Sequence, residues 1–156
     1  EEFNFATFTT NPSAWSAGTN WPGGAGMTFA GTGTQTAYLK SSGNDGTPPT
    51  HPVSNNTQEY DGSSWTSAPS VPYSSRDPDS AGVQTAAVQF GGAKAPPSPG
   101  ATESAAEYDG SSWTGSPSMN HKRRQVTGSG LLTTTITAGG SGPQSGSPEG
   151  AMTNTE

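Results

Sequence analysis

Cysteine is absent from the 156 residues, so neither a disulfide framework nor a thiolate metal site holds this fold. Large core-forming residues are scarce. Leu, Ile, Val and Phe together account for only 14 positions, well under the roughly 20% of a chain below which disorder becomes the expectation. Lys and Arg number 6 against 12 Asp and Glu, a net charge of −6, and an acidic balance argues against non-specific nucleic-acid binding. No run of about 18 apolar residues occurs, which excludes a helical membrane span. A signal-peptide pattern is also missing, and a first residue of Glu1 rather than Met reads as a processed chain or part of a longer one. There is no P-loop, dinucleotide fingerprint or nucleophile elbow. His51 and His121 stand without a metal-ligand pattern. The expectation is a protein without cofactor, metal or catalytic residues.

What is present is Gly (22), Pro (14), abundant Ser and Thr, and 13 aromatic residues at ordered spacing. Trp15, Trp65 and Trp113 are separated by 50 and 48 residues, while Gly33, Gly82 and Gly130, like Gly43, Gly92 and Gly140, are separated by 49 and 48. Glu59 to Thr66 and Glu107 to Thr114 share the octapeptide Glu-Tyr-Asp-Gly-Ser-Ser-Trp-Thr. Such self-similarity at one period marks a repeat protein. We read residues 1–156 as a single repeat domain, with a divergent copy at 1–58, copy two at 59–106 and copy three at 107–156. Ordered repeats at modest net charge oppose disorder.

Each copy reads as short strands punctuated by turns. Ala86, Val88 and Phe90 alternate with Thr85, Ala87 and Gln89, the period of a strand with one buried face. The equivalent sets are Ala37, Leu39 and Ser41 in copy one and Thr134, Ile136 and Ala138 in copy three. Leu39, Val88 and Ile136 therefore share one position, which is expected to be core. Asp61-Gly62 and Asp109-Gly110 predict hairpins with two-residue type I′ turns. That geometry puts Tyr60 and Trp65, and likewise Tyr108 and Trp113, on one sheet face, diagonal to each other. With so few aliphatic side chains, the predicted core is Trp15, Leu39, Tyr60, Trp65, Val88, Phe90, Tyr108, Trp113 and Ile136.

The order Ala86 to Gly92 (AAVQFGG), Glu107 to Trp113 (EYDGSSW) and Pro117 to Arg124 (PSMNHKRR) resembles a kelch repeat. Such a repeat runs as a strand ending in Gly-Gly, a loop, a Tyr-Asp hairpin, a Trp, a Pro-containing connection and a basic residue. The likeness covers about residues 25 to 156 and is closest to degenerate kelch-like arrays of marine phage structural and tail proteins and of bacterial surface proteins. Copy one departs from it: Ser42-Gly43 replaces Gly-Gly, and Phe3 with an insertion of about seven residues replaces the hairpin before Trp15. The resemblance implies an all-β fold of four-stranded repeats of about 48–50 residues, assembled from 26–43 with 57–69, and from 81–92 with 104–117. The third unit takes strands from 126–140 and completes itself with Glu1 to Ala17. Three units are too few to close a β-propeller of four to eight blades. A six-bladed dimer, a section of a longer array and head-to-tail strand exchange are the open alternatives, with a three-copy β-trefoil as the rival closure.

The residues that carry polar chemistry have plain structural readings. Asp61 and Asp109 are hairpin residues. Asp77-Pro78-Asp79-Ser80 and Asn44-Asp45-Gly46 offer oxygen atoms but not the spacing of a calcium loop. His121, Lys122, Arg123 and Arg124 form the one basic cluster, a place for ligand contact or for pairing with nearby carboxylates. The proline-rich loops Thr47-Pro48-Pro49 and Ala95 to Pro99 project from equivalent places, and Asn55-Asn56-Thr57 matches a glycosylation acceptor. Together these features predict a non-catalytic structural or adhesive module of a virion or extracellular fibre. Its expected partners are itself, other virion or fibre proteins and surface glycans, and no nucleic acid or membrane. A carbohydrate- or protein-binding domain of a secreted or cell-surface protein is the alternative.

Overall fold

A computed structural model describes residues 18–22, 26–45, 52–94, 100–144, 147–151, 153 and 155–156. These residues are all-β and antiparallel. The first sheet has the order β1-β2-β3-β4, built from β1 (Ala30–Thr34), β2 (Ala37–Asn44), β3 (Val53–Tyr60) and β4 (Trp65–Ala68). After β5 (Asp79–Val83) and β6 (Ala86–Phe90) come the short pair β7 (Ala93–Lys94) and β8 (Gly100–Ala101), then β9 (Ala105–Tyr108) and β10 (Trp113–Ser116). The second sheet has the order β5-β6-β9-β10, the same meander as the first. The third copy pairs β11 (Thr127–Ser129) with β12 (Ile136–Ala138), and β13 (Ser141–Gln144) pairs with β14 (Ser147–Ala151).

Registers repeat along with residue types. Thr32 opposes Leu39, Ala81 opposes Val88 and Ser129 opposes Ile136. Leu39 opposes Glu59, as Val88 opposes Glu107. The glycine landmark at each first hairpin has a steric cause. Gly33, Gly82 and Gly130 take φ of 121°, 114° and 122°, and a Cβ there would lie 2.2–2.3 Å from the carbonyl oxygen of Ala37, Ala86 or Thr134. Only glycine fits.

The copies stack, and backbone hydrogen bonds tie them at the repeat step. The amide of Gly43 donates to Ser75 O at 2.8 Å and that of Gly92 to Arg123 O at 2.9 Å. The amide of Asp77 donates to Thr28 O at 2.9 Å, and that of Gln125 to Asp77 O at 3.0 Å. Thr28, Asp77 and Gln125 are three of the four described non-glycine residues with positive φ, at 55°, 56° and 54°. A left-handed backbone costs a side-chain-bearing residue about 1–2 kcal/mol. At Asp77 and Gln125 it turns the connection so that the amide meets the previous copy.

The core lies between the copies. Leu39 packs with Ala87 and Tyr108 between the first and second sheets, flanked by Ala68 and Trp113. Val88 and Phe90 pack with Ala81, Ala105 and Val126 between the second sheet and the third copy. A buried polar contact joins the first pair: Ser41 Oγ donates to Gln89 Oε1 at 2.6 Å, and Gln89 is fully buried. With so few aliphatic residues, the chain makes its interior from alanine, the Tyr108 ring and small polar side chains such as Ser41, Thr57 and Gln89.

Ile136 corrects the expectation of a third core position. It is 55% exposed, whereas Leu39 is 1% and Val88 8% exposed. The face carrying Leu39 meets the next sheet, and the face carrying Val88 meets the third copy. The same face of the third copy meets no further sheet among the described residues. Trp15, Phe3 and both proline-rich loops lie outside the described residues.

Candidate functional site: an aromatic cleft and a groove beside β12

The Asp-Gly hairpins differ in kind from the predicted two-residue turns. Tyr60 opposes Trp65 and Tyr108 opposes Trp113, which leaves a four-residue loop. Asp61 Oδ1 accepts from the amides of Ser63 (2.8 Å) and Ser64 (2.7 Å), and Asp109 Oδ1 does the same for Ser111 (2.8 Å) and Ser112 (2.7 Å). The serine hydroxyls add to this: Ser64 Oγ donates to Asp61 Oδ2 and Ser112 Oγ to Asp109 Oδ2, both at 3.0 Å. Each carboxylate therefore caps its loop as an Asx turn. The hydrogen bonds from Ser111 and Ser112 bring Asp109 down to about 2, and those from Ser64 and Ser63 hold Asp61 well below the carboxylate range. The register differs by two residues from the prediction, so each Tyr and Trp still share a face. Their ring centroids are 5.0 Å apart in both hairpins.

In the second hairpin that aromatic pair is the joint between sheets. Tyr108 is 1% exposed and its hydroxyl donates to Glu59 Oε1 at 2.9 Å, while Trp113 Nε1 donates to Thr57 Oγ1 at 3.0 Å. Burial, reinforced by the Glu59 carboxylate, pushes the Tyr108 phenol well above its ordinary value. Burying one such ring contributes about 2–3 kcal/mol.

In the first hairpin the same face opens as a cleft of about 510 Å³, walled by Trp21, Phe29, Tyr38, Lys40, Tyr60 and Trp65. Tyr38 meets Trp65 edge-on at 6.3 Å. Lys40 is buried, donates from Nζ to Ser42 O at 2.9 Å and lies 4.2 Å from the Trp21 ring centroid. Burial lowers its ammonium to about 8. Trp65 Nε1 donates to Thr19 O at 3.3 Å, and Thr19 Oγ1 donates to Ser63 O at 2.6 Å, so the segment at residues 18–20 crosses this face. Among the described residues Trp21 Nε1 is buried without a hydrogen-bond partner. The cleft offers ring faces and one ammonium, chemistry suited to stacking. Among the described residues no carboxylate lines it.

The basic cluster does not form one positive patch. Arg123 is fully buried and its Nη2 donates to Glu156 Oε1 at 2.6 Å; His121 Nδ1 lies 2.8 Å from the same oxygen. Lys122 pairs with Glu103 and Arg124 with Asp77, each at 3.8 Å. Burial opposes ionisation of Glu156. The bonds from His121 and the Asn120 amide and the charge of Arg123 outweigh that, and hold its pKa below the usual range. Sequence reasoning missed this pairing because Glu156 lies 33 residues from Arg123.

In the turn at residues 77–80, Asp79 is also committed. Asp79 accepts from the Ser80 and Gly128 amides at 2.8 and 2.7 Å, joining copies two and three. No group of three or more potential ligand residues capable of holding a metal occurs among the described residues. The Asn55 side chain donates to Val71 O at 2.9 Å within β3, and Thr57 is buried.

At the far end, a groove of about 290 Å³ opens beside β12, between the second sheet and the third copy. Glu156 lines it, and Thr155 and Glu156 pair with β12: Ala138 bridges Thr155, and Thr137 and Glu156 exchange backbone hydrogen bonds at 2.8 and 2.9 Å. Compared with known protein families and with curated proteins, the chain matches none.

Proposed function

We propose that the chain is a non-catalytic structural or adhesive β-repeat module, kelch-like in design, of a virion tail, fibre or capsid surface or of an extracellular fibre. The observation that carries this reading is where the binding energy lies. Copies grip one another through a Tyr–Trp pair and repeated backbone bonds, and among the described residues the aromatic cleft of the first sheet and the groove beside β12 offer further surface of the same kind. A cysteine-free, serine- and threonine-rich, acidic composition suits a particle or cell exterior. The propeller-like arrangement, closed by a second chain or left open, belongs to the same proposal.

Solution mass across concentration, together with electron microscopy, tests it. Discrete rings or growing filaments are expected. A monomer at every concentration, with no particles, would refute the reading.

One observation favours the alternative of a glycan-binding domain: the cleft at Tyr38, Tyr60 and Trp65, whose ring faces suit stacking on a sugar. Saturable binding on a glycan array that disappears in Trp65→Ala would decide for it.

A further inference from the structure

The cleft face of the first sheet has a twin in the second sheet, and the two carry different chemistry. Tyr60 and Trp65 correspond to Tyr108 and Trp113. In each sheet that pair lies in one row with a residue of the neighbouring strand, Tyr38 in the first sheet and Ala87 in the second. Two residues further along, and so on the same face, stand Lys40 and Gln89. Ala87 and Gln89 are fully buried in the joint with the first sheet. The first sheet has a third ring and an ammonium at those places, and its edge strand makes room for them. Gly31 opposes Lys40 where Ser80 opposes Gln89, and a Cβ at Gly31 would collide with the Tyr38 hydroxyl.

The cleft that results, of about 510 Å³, has the size of a small-ligand site. Lys40 lines it and is 3% exposed. Its ammonium meets the Ser42 carbonyl at 2.9 Å and lies 4.2 and 5.5 Å from the centroids of the Trp21 and Phe29 rings, partners without formal negative charge. With a pKa of about 8 it still carries its proton at neutral pH. Ring faces stack on the apolar side of a sugar, and a desolvated ammonium makes its strong hydrogen bonds to carboxylates. Tyr38 and Lys40 stand about 7 Å apart along the strand, the span of one pyranose ring with its carboxylate.

We propose that the cleft binds an acidic sugar, a pyranoside bearing a carboxylate, with the ring stacked on Tyr60 and Trp65 and the carboxylate at Lys40 Nζ. This assignment deepens the glycan-binding reading above and rests on it. The rings supply affinity for any pyranoside, and Lys40 supplies the preference for a charged one.

Isothermal titration calorimetry of the full chain with trigalacturonic acid and with its fully methyl-esterified form tests it, because the two probes share their rings and differ in charge. The acid is expected to bind saturably and about tenfold or more tightly than the ester. Lys40→Gln installs the residue that the second sheet buries at the same place, and should bring acid and ester to equal affinity. Trp65→Ala should weaken both. Near-ultraviolet circular dichroism and the urea midpoint confirm that each variant folds, and the preference of the parent chain stands as a test without them. Equal binding of acid and ester by the parent chain, or a preference for the acid that survives Lys40→Gln, overturns the carboxylate site and leaves the glycan reading standing. Binding of neither probe overturns the proposal, and a glycan array that is also blank overturns the reading beneath it.

Discussion

Replacing Leu39 and Ile136 by alanine separates a repeat position from its environment. The two residues oppose Thr32 and Ser129 in matching registers, yet Leu39 is 1% exposed and Ile136 55%. Leu39 is enclosed by Ala87, Tyr108, Ala68 and Trp113 across two hydrogen-bonded sheets. Such walls collapse poorly into a cavity, so Leu39→Ala is expected to cost about 3 kcal/mol, within the range for buried leucines. For a chain of this length that lowers Tm by about 6–12 °C. Ile136→Ala removes a side chain that already faces solvent and is expected to change stability by about 0.5 kcal/mol or less. Urea unfolding of dilute samples reads both, through midpoints at unchanged slope. Equal destabilisation by the two substitutions, or a tolerated Leu39→Ala, would show that the copies do not stack as described.

Three further outcomes follow from the same packing. Tyr108→Phe should cost about 1–3 kcal/mol by leaving the Glu59 carboxylate without its donor, and a double-mutant cycle with Glu59→Gln should give a coupling of about 1–2 kcal/mol. Gly92→Ala should destabilise by about 1–3 kcal/mol. Its φ is 99° and a Cβ would lie 2.8 Å from that of Ser75, whereas Gly115→Ala, with open space around it, should be neutral in the same thermal melts. Lys40 has a folded pKa of about 8 against an ordinary 10.5. The folded state therefore holds fewer protons across that window, and stability rises as pH climbs through it. The raised phenols of Tyr38, Tyr73 and Tyr108 act in the opposite sense above their ordinary 10.0. The rise is accordingly sought between about pH 8 and 10, and Lys40→Met should abolish it.

Spacing made much of this fold legible. Tryptophan and glycine recurrence aligns the copies, and the alignment places Leu39, Val88, Phe90 and Tyr108 in the interior, where they are buried. It also pairs each tyrosine with its tryptophan. The turn type was not legible, because Asp-Gly serves both a two-residue turn and an Asx-capped loop. The two serine amides captured by each carboxylate decide between them. Ile136 shows that equivalent position is not equivalent burial, since among the described residues no sheet covers it as the second sheet covers Leu39. The fate of His121 to Arg124 was hidden for a related reason. A local run of positive charge carries no sign of a distant carboxylate, and Glu156 reaches Arg123 and His121 only in the folded chain. Thr28, Asp77 and Gln125 were overlooked although they recur at the same 49- and 48-residue steps as the glycines. Their side chains share no chemistry, only a backbone conformation.

That one copy's aromatic pair is seated on the preceding sheet is most directly tested by nuclear Overhauser contacts in solution. The Tyr108 ring protons should show strong contacts to the Leu39 methyls, and the Trp113 indole N–H to the Thr57 side chain. Rings that instead contact only residues of their own hairpin would contradict the stacked arrangement.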